Sequence, residues 1–250
     1  MKVRTISMIV LAVAISLVIS TADWIYAADQ ENGCSKATLQ GSFGFYQTGF
    51  TPDGALAGIG TVSYDGKGNS IVKQSKMING VFEFEKLNNT YVVNPDCTGK
   101  AFSDGVEISR FTVVDRGNGV VAISRTSGNS VFVVAKKMHP STDTTTAGST
   151  AVCSKSTLQG SYGFYRTGLT ADGPLAAIGI ITYDGNGNNH GRQTISRNGV
   201  FEHLEFNGTY EVNPDCTTDS GAIVVDGGNE LYNLSKTSGN AVYVVSRKIQ

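Results

Sequence analysis

Charge is scarce in this chain. Charged residues make up 16% of 250, with 20 Lys and Arg against 21 Asp and Glu, a formal net charge of −1. So neutral a balance gives no electrostatic reason to expect nucleic acid or an anionic membrane as a partner. No phosphate loop, dinucleotide fingerprint or H-E-x-x-H is present, which removes the nucleotide-binding and zincin classes and leaves no cofactor to expect. There is no C-x-x-C pair, and His139, His190 and His203 do not recur at matched positions, so a zinc centre is excluded on spacing. The long apolar run, residues 6–19, falls short of the roughly 20 needed to cross a bilayer.

That run follows Lys2 and Arg4 and precedes a stretch ending in Ala27, the layout of a cleaved leader over residues 1–27. The expectation is a secreted or periplasmic protein with no stable membrane span once the leader is removed. Proline is also rare, 5 residues, whereas glycine is abundant at 30 and is scattered among Phe, Tyr, Val and Thr. This composition points to many short strands joined by tight turns.

The chain repeats itself. Placing Cys34 on Cys153 carries the match without a gap to Cys97 on Cys216, with roughly 60% of positions identical, and a period this long means that each copy should own its core. The first copy spans residues 34–138 and the second 153–250, separated by a polar, Thr-rich linker at 139–152. Past the second cysteine the Thr-Ser-Gly-Asn at 126–129 returns at 237–240, eight residues early. The loss falls near residues 101–108, which read as strand, Asp-Gly turn, strand, so one hairpin of the second copy is truncated.

The four cysteines permit three pairings. Cys34 with Cys97 and Cys153 with Cys216 is expected, because the other two would tie the copies together, which an ancestral single domain could not have used. The stretch 94–97, Asn-Pro-Asp-Cys, then reads as a strand end turning into a half-cystine.

Leu39, Gly41, Phe43 and Phe45 alternate with polar or small neighbours, as one half-buried strand does. Asp-Gly, Asn-Gly and Gly-Asn pairs punctuate the rest into about eight strands per copy. The fold class expected is therefore all-β: two tandem antiparallel up-and-down barrels, the second with a shortened hairpin, with a sandwich as the alternative.

The order CSxxTLxGS[FY]GF, GxLAxIG, YDGxGN and [GN]TYxVNPDC resembles a group of exported bacterial tandem-repeat proteins. It is more distantly similar to barrels of the allene oxide cyclase-like, calycin type. That resemblance implies a barrel with a mouth. The family's catalytic carboxylate and ordered water match no position here, and no catalytic residue is assigned.

Three sets of residues recur and could carry function. Asp65 with Asn69, and Asp184 with Asn188, place oxygen ligands as calcium loops do but lack further carboxylates, so a hairpin turn explains them as well. Glu83 and Glu202 could act as bases if desolvated, although alternation with Phe82 and Phe201 sets them outward. Tyr46 and Tyr165 could line a mouth or pack at a rim. The functional expectation is a non-catalytic module that binds a small apolar ligand or a cell-surface partner. The alternatives are a cyclase or isomerase, and a secreted inhibitor or adhesion subunit.

Overall fold

The structure, a computed structural model, describes residues 33–139 and 152–249; the expected leader and nearly all of the expected linker lie outside them. The described chain is all-β. In the first copy the strands are β1 Gln40–Thr51, β2 Gly54–Asp65, β3 Asn69–Ile78, β4 Val81–Val93, β5 Thr98–Ser103, β6 Val106–Val114, β7 Gly119–Ser124 and β8 Ser130–Lys137. Each pairs antiparallel with the next, and β1 meets β8 from Phe43 opposite Lys137 to Phe50 opposite Ser130, closing an eight-stranded barrel.

Turn chemistry sets the hairpins. Asn79 and Gly80 join β3 to β4 with φ of 46° and 80°, the positive angles of a tight two-residue turn whose twist matches that of the strands. In the loop after β2, Asp65 Oδ1 accepts the backbone N–H groups of Lys67, Gly68 and Asn69 at 2.7, 2.9 and 2.9 Å.

Period-two alternation turns Phe43, Phe45, Val62 and Tyr91 inward, where they pack with Phe111, Val113 and Val120. Tyr91 closes one end by donating its hydroxyl to the carbonyls of Lys36 and Leu39, both at 3.0 Å. Cys34 bonds Cys97 and Cys153 bonds Cys216, the expected pairing. Cys97 sits at φ 66° at the end of a turn in which its N–H reaches the Asn94 carbonyl at 3.0 Å, so the repeated Asn-Pro-Asp-Cys is a staple.

The second copy repeats the first three strands with the same bounds, β9 Gln159–Thr170, β10 Gly173–Asp184 and β11 Asn188–Arg197, and continues with a shorter β12 Val200–Thr209. It ends with β13 Ile223–Val225, β14 Glu230–Leu234 and β15 Ala241–Lys248. These form a seven-stranded sheet in the order β12-β11-β10-β9-β15-β14-β13, so the expected second barrel is not the observed arrangement. The missing residues are the cause. Where the first copy has β5 and most of β6, the second keeps only single bridges, Val212 with Thr218 and Thr217 with Ile223, and the two edge strands never pair.

The copies pack together through one apolar cluster. Tyr46, Ala57, Ile59 and Met77 on the outside of the barrel meet Ile223, Val225, Tyr232, Leu234 and Val245 on the outside of the second sheet. Gly44 is required there, because any Cβ would drive into Val225 and Ile223. At the rim of this cluster Lys136 pairs at 2.9 Å with Glu230, which is 2% exposed.

Candidate functional site

The concave face of the second sheet holds a cavity of about 340 Å³. Its position follows from the fold: inward side chains of β9, β10, β11, β12, β14 and β15 line it, as their counterparts face the interior of the barrel in the first copy. Here the lost hairpin leaves space. The walls include Phe164, Ile181, Phe206 and Val244, and Arg166, Gln193 and Asn233 are among the polar side chains that line it, with Asn189, Thr218 and Ser246. Phe164 and Phe206 meet at 6.3 Å between ring centroids. Tyr183 stands edge-on to Tyr162 and Tyr210 at 5.3 and 5.0 Å, and the Tyr210 hydroxyl donates to the carbonyls of Lys155 and Leu158 at 3.1 and 2.9 Å.

Arg166 is the chemically distinctive residue. Its Nε is buried without a hydrogen-bond partner among the described residues, as is Oε1 of Gln193. Burial, with the charge of Arg197 adding to it, holds the guanidinium below its ordinary pKa. No carboxylate lines the cavity to balance it. An anion delivered from outside would gain charge-assisted hydrogen bonds there, and the apolar walls would receive an apolar body.

In the first copy the corresponding position is Gln47, and a saturated network surrounds it. Gln47 donates to Gln74 at 2.8 Å, Gln74 donates to Glu85 at 2.8 Å, and Lys76 pairs with Glu85 at 2.6 Å and Glu83 at 3.2 Å. Glu83 is thus on the interior side, at the barrel's end. The expectation that it faces away from the interior is reversed: Phe82 and Phe84 are the exposed outer residues, 47% and 66%. Glu202 is exposed on β12, opposite Ile195, and does not line the cavity.

Tyr46 lies buried between the copies, stacked on Tyr243 at 5.1 Å and edge-on to Tyr232 at 5.0 Å. Tyr165 sits on the outer face of β9, 37% exposed. Neither lines the cavity. Asp184 repeats the Asp65 loop, accepting from the Asn186 and Asn188 backbone at 2.7 and 3.0 Å and from the Asn188 side chain at 2.7 Å. These carboxylate oxygens are occupied by the turn's own hydrogens. His139, Cys153 and Cys216 cluster, but both sulfurs are in the disulfide, with His139 Nε2 3.0 Å from Cys216 Sγ.

Reading the sequence for recurring residues missed Arg166, because its signal is a departure from the repeat: arginine where the first copy has glutamine, flanked by the same Phe-Tyr and Thr-Gly.

No family model matches the chain, and no curated protein matches it. Among solved structures, it is similar to a protein of unknown function from the DUF3598 family of Nostoc punctiforme, at 9% identity and a TM-score of 0.26, over 85% of this chain and 97% of that one. It is also similar to kievitone hydratase from Nectria haematococca, at 8% identity and a TM-score of 0.29, over 85% and 91%. Likeness at this level carries no argument about activity. No helix among the described residues is long and apolar enough to cross a membrane, which leaves strands out of account.

Proposed function

We propose that the chain is an exported binding module whose second copy takes a small amphipathic ligand, an apolar body with an anionic head such as a carboxylate. The observation that carries this is the buried, unpartnered Arg166 Nε in a cavity walled by Phe164, Ile181 and Phe206. The two disulfides are compatible with an oxidising compartment outside the cytoplasm. A cyclase working through a carboxylate has less support, because no Asp or Glu reaches the cavity.

The test compares decanoate with decanol by titration calorimetry on the oxidised chain and on Arg166→Gln, which installs the residue of the first copy. A hydrogen bond to a charged group contributes about 1.5–3 kcal/mol, so decanoate should weaken by roughly 10- to 100-fold while decanol is unchanged. Equal decanoate affinity in both proteins, or no binding of either probe, would sink the reading.

A further inference from the structure

The contact between the copies is head-to-tail. The first copy contributes mainly the outside of β1 and β2, with Met77 of β3 and Val134 of β8 at the edges, while the second contributes mainly the outside of β13, β14 and β15, which correspond to β6, β7 and β8. Two different faces of one repeat therefore meet, and each copy keeps the face that the other has used. A heterologous contact of this kind satisfies neither end of the chain.

Both unused faces are largely exposed among the described residues and keep part of the apolar chemistry of their buried counterparts, with Ser196 where the internal contact has Met77 and Thr112 where it has Ile223. On the second copy, Tyr165, Ala176 and Ile178 match Tyr46, Ala57 and Ile59 of the internal contact. Ile178 is 68% exposed against 4% for Ile59, whereas Tyr165, 37% exposed, already stands edge-on to Tyr243 at 6.4 Å at the border of the internal contact. Gly163 repeats Gly44, and a Cβ there would meet nothing but Ile249, at ordinary contact distance. Gly199 repeats Gly80, whose carbonyl accepts the Gly239 N–H at 3.1 Å in the internal contact, yet Gly199 has open space around it.

On the first copy the matching face presents Val114, Val121, Ile123 and Phe132 where the second copy buries Val225, Tyr232, Leu234 and Tyr243. Val114, Ile123 and Phe132 are 40%, 52% and 43% exposed, and a groove runs over Val121, Ile123 and Phe132. The faces meet at the seam of β1 with β8, where Val134 joins the internal contact, but Ile178 on β10 and Ile123 on β7 stay exposed outside it.

We infer that the outer face of β9 and β10 in one molecule docks on the outer face of β6 to β8 in a second copy of this chain, repeating the internal contact between molecules. Ile178 then takes the place of Ile59 and packs against the apolar side chains of Val114, Ile123 and Phe132. The product is an open string or a ring, according to whether the rotation between successive copies closes.

Sedimentation velocity on the oxidised chain, over a concentration series reaching about 1 mM, reads the self-association directly. Ile178→Glu removes the β9–β10 face and Phe132→Glu removes the β6–β8 face. Both side chains are exposed, and unchanged thermal melting shows that the variants fold. Each variant alone should be monomeric at concentrations where the unaltered chain associates. A mixture of the two should give a capped 1:1 pair, because each retains the face that the other lacks. The inference is overturned by a chain that stays monomeric throughout, by variants that associate as the unaltered chain does, or by a mixture that forms no pair.

Discussion

The two copies begin with the same strands and end differently. In the first, β5 and β6 complete a closed barrel whose interior is filled by Phe43, Phe45, Val62, Tyr91 and Phe111. In the second, the shorter return leaves β12 and β13 unpaired with each other and a cavity where the filling would be. Polar groups diverge in the same direction. Gln47, Gln74, Lys76, Glu83 and Glu85 satisfy one another, whereas Arg166 and Gln193 are left with unpartnered atoms. A duplicated fold can thus keep one copy as a packed scaffold while the other gives up closure for space and an uncompensated cation. The scaffold copy also covers part of the opened copy's outer face, through Tyr46, Ala57 and Ile59.

Removing the disulfides should break the comparison most severely. Closing a loop of this length stabilises by about 4 kcal/mol in the chain-entropy account, so Cys34→Ser with Cys97→Ser and Cys153→Ser with Cys216→Ser should lose similar amounts. The second copy has fewer cross-strand pairings to fall back on, and its pair of substitutions should produce a separate, lower melting transition. A single cooperative transition lowered equally in both proteins would show that the shared interface, not the barrel, sets the stability of each copy.

Matched glycines give the next largest contrast. Gly44→Val thrusts two methyl groups into Val225 and Ile223 and should destabilise by about 1–3 kcal/mol, as overpacking does. Gly163→Val, the same change in the second copy, meets only Ile249 at ordinary contact distance and should stay within about 0.5 kcal/mol. Chemical denaturation of both variants measures the difference, and equal losses would contradict the head-to-tail contact.

How much of this was legible in the residues depends on what each pattern encodes. The repeat, the strand count of the first copy and the pairing of Cys34 with Cys97 follow from spacing and alternation, which are local or depend on ancestry. The opening of the second copy does not, because the deletion near residue 220 has a consequence, unpaired β12 and β13, that involves strands far apart in sequence. Alternation sets Glu83 opposite Phe82 but distinguishes two faces without saying which is inside. Here the interior at that end is lined by Gln47, Gln74 and Lys76, and the phenylalanines face solvent. Tyr46 and Tyr165 are the same letter in the same context, and only packing makes one buried and the other exposed.

Exchanging residues across the network gives a smaller effect. Glu85→Leu installs the residue of the second copy, Leu204, and leaves Gln74 Nε2 and Lys76 short of an acceptor. A loss of about 1 kcal/mol is expected. Leu204→Glu places a carboxylate on exposed β12 and should stay within about 0.5 kcal/mol of neutral. A neutral Glu85→Leu would mean that the network is solvated and that the contrast with Arg166 is weaker than the geometry indicates.

The smallest contrast concerns the two aspartate turns. Hydrogen bonds from the Asn188 side chain and backbone lower the Asp184 pKa to about 2, and the corresponding bonds from Asn69, with those from Lys67 and Gly68, lower that of Asp65 further. A carboxyl held below its value of about 3.9 in an unfolded chain contributes stability that is present above that pH and lost as pH falls through the folded value. Asp184→Asn should therefore lower the melting temperature at neutral pH and make progressively less difference between about pH 4 and pH 2, and the window for Asp65→Asn should extend lower. Carboxyl titration by NMR reads both values in one experiment, and adding calcium to the same sample tests the metal reading. A calcium-dependent shift of the Asp65 or Asp184 resonance would mean that the ion competes with the turn's own N–H groups. An unchanged spectrum leaves those carboxylates as turn formers, with the acid sensitivity of each loop set by how many amides it collects.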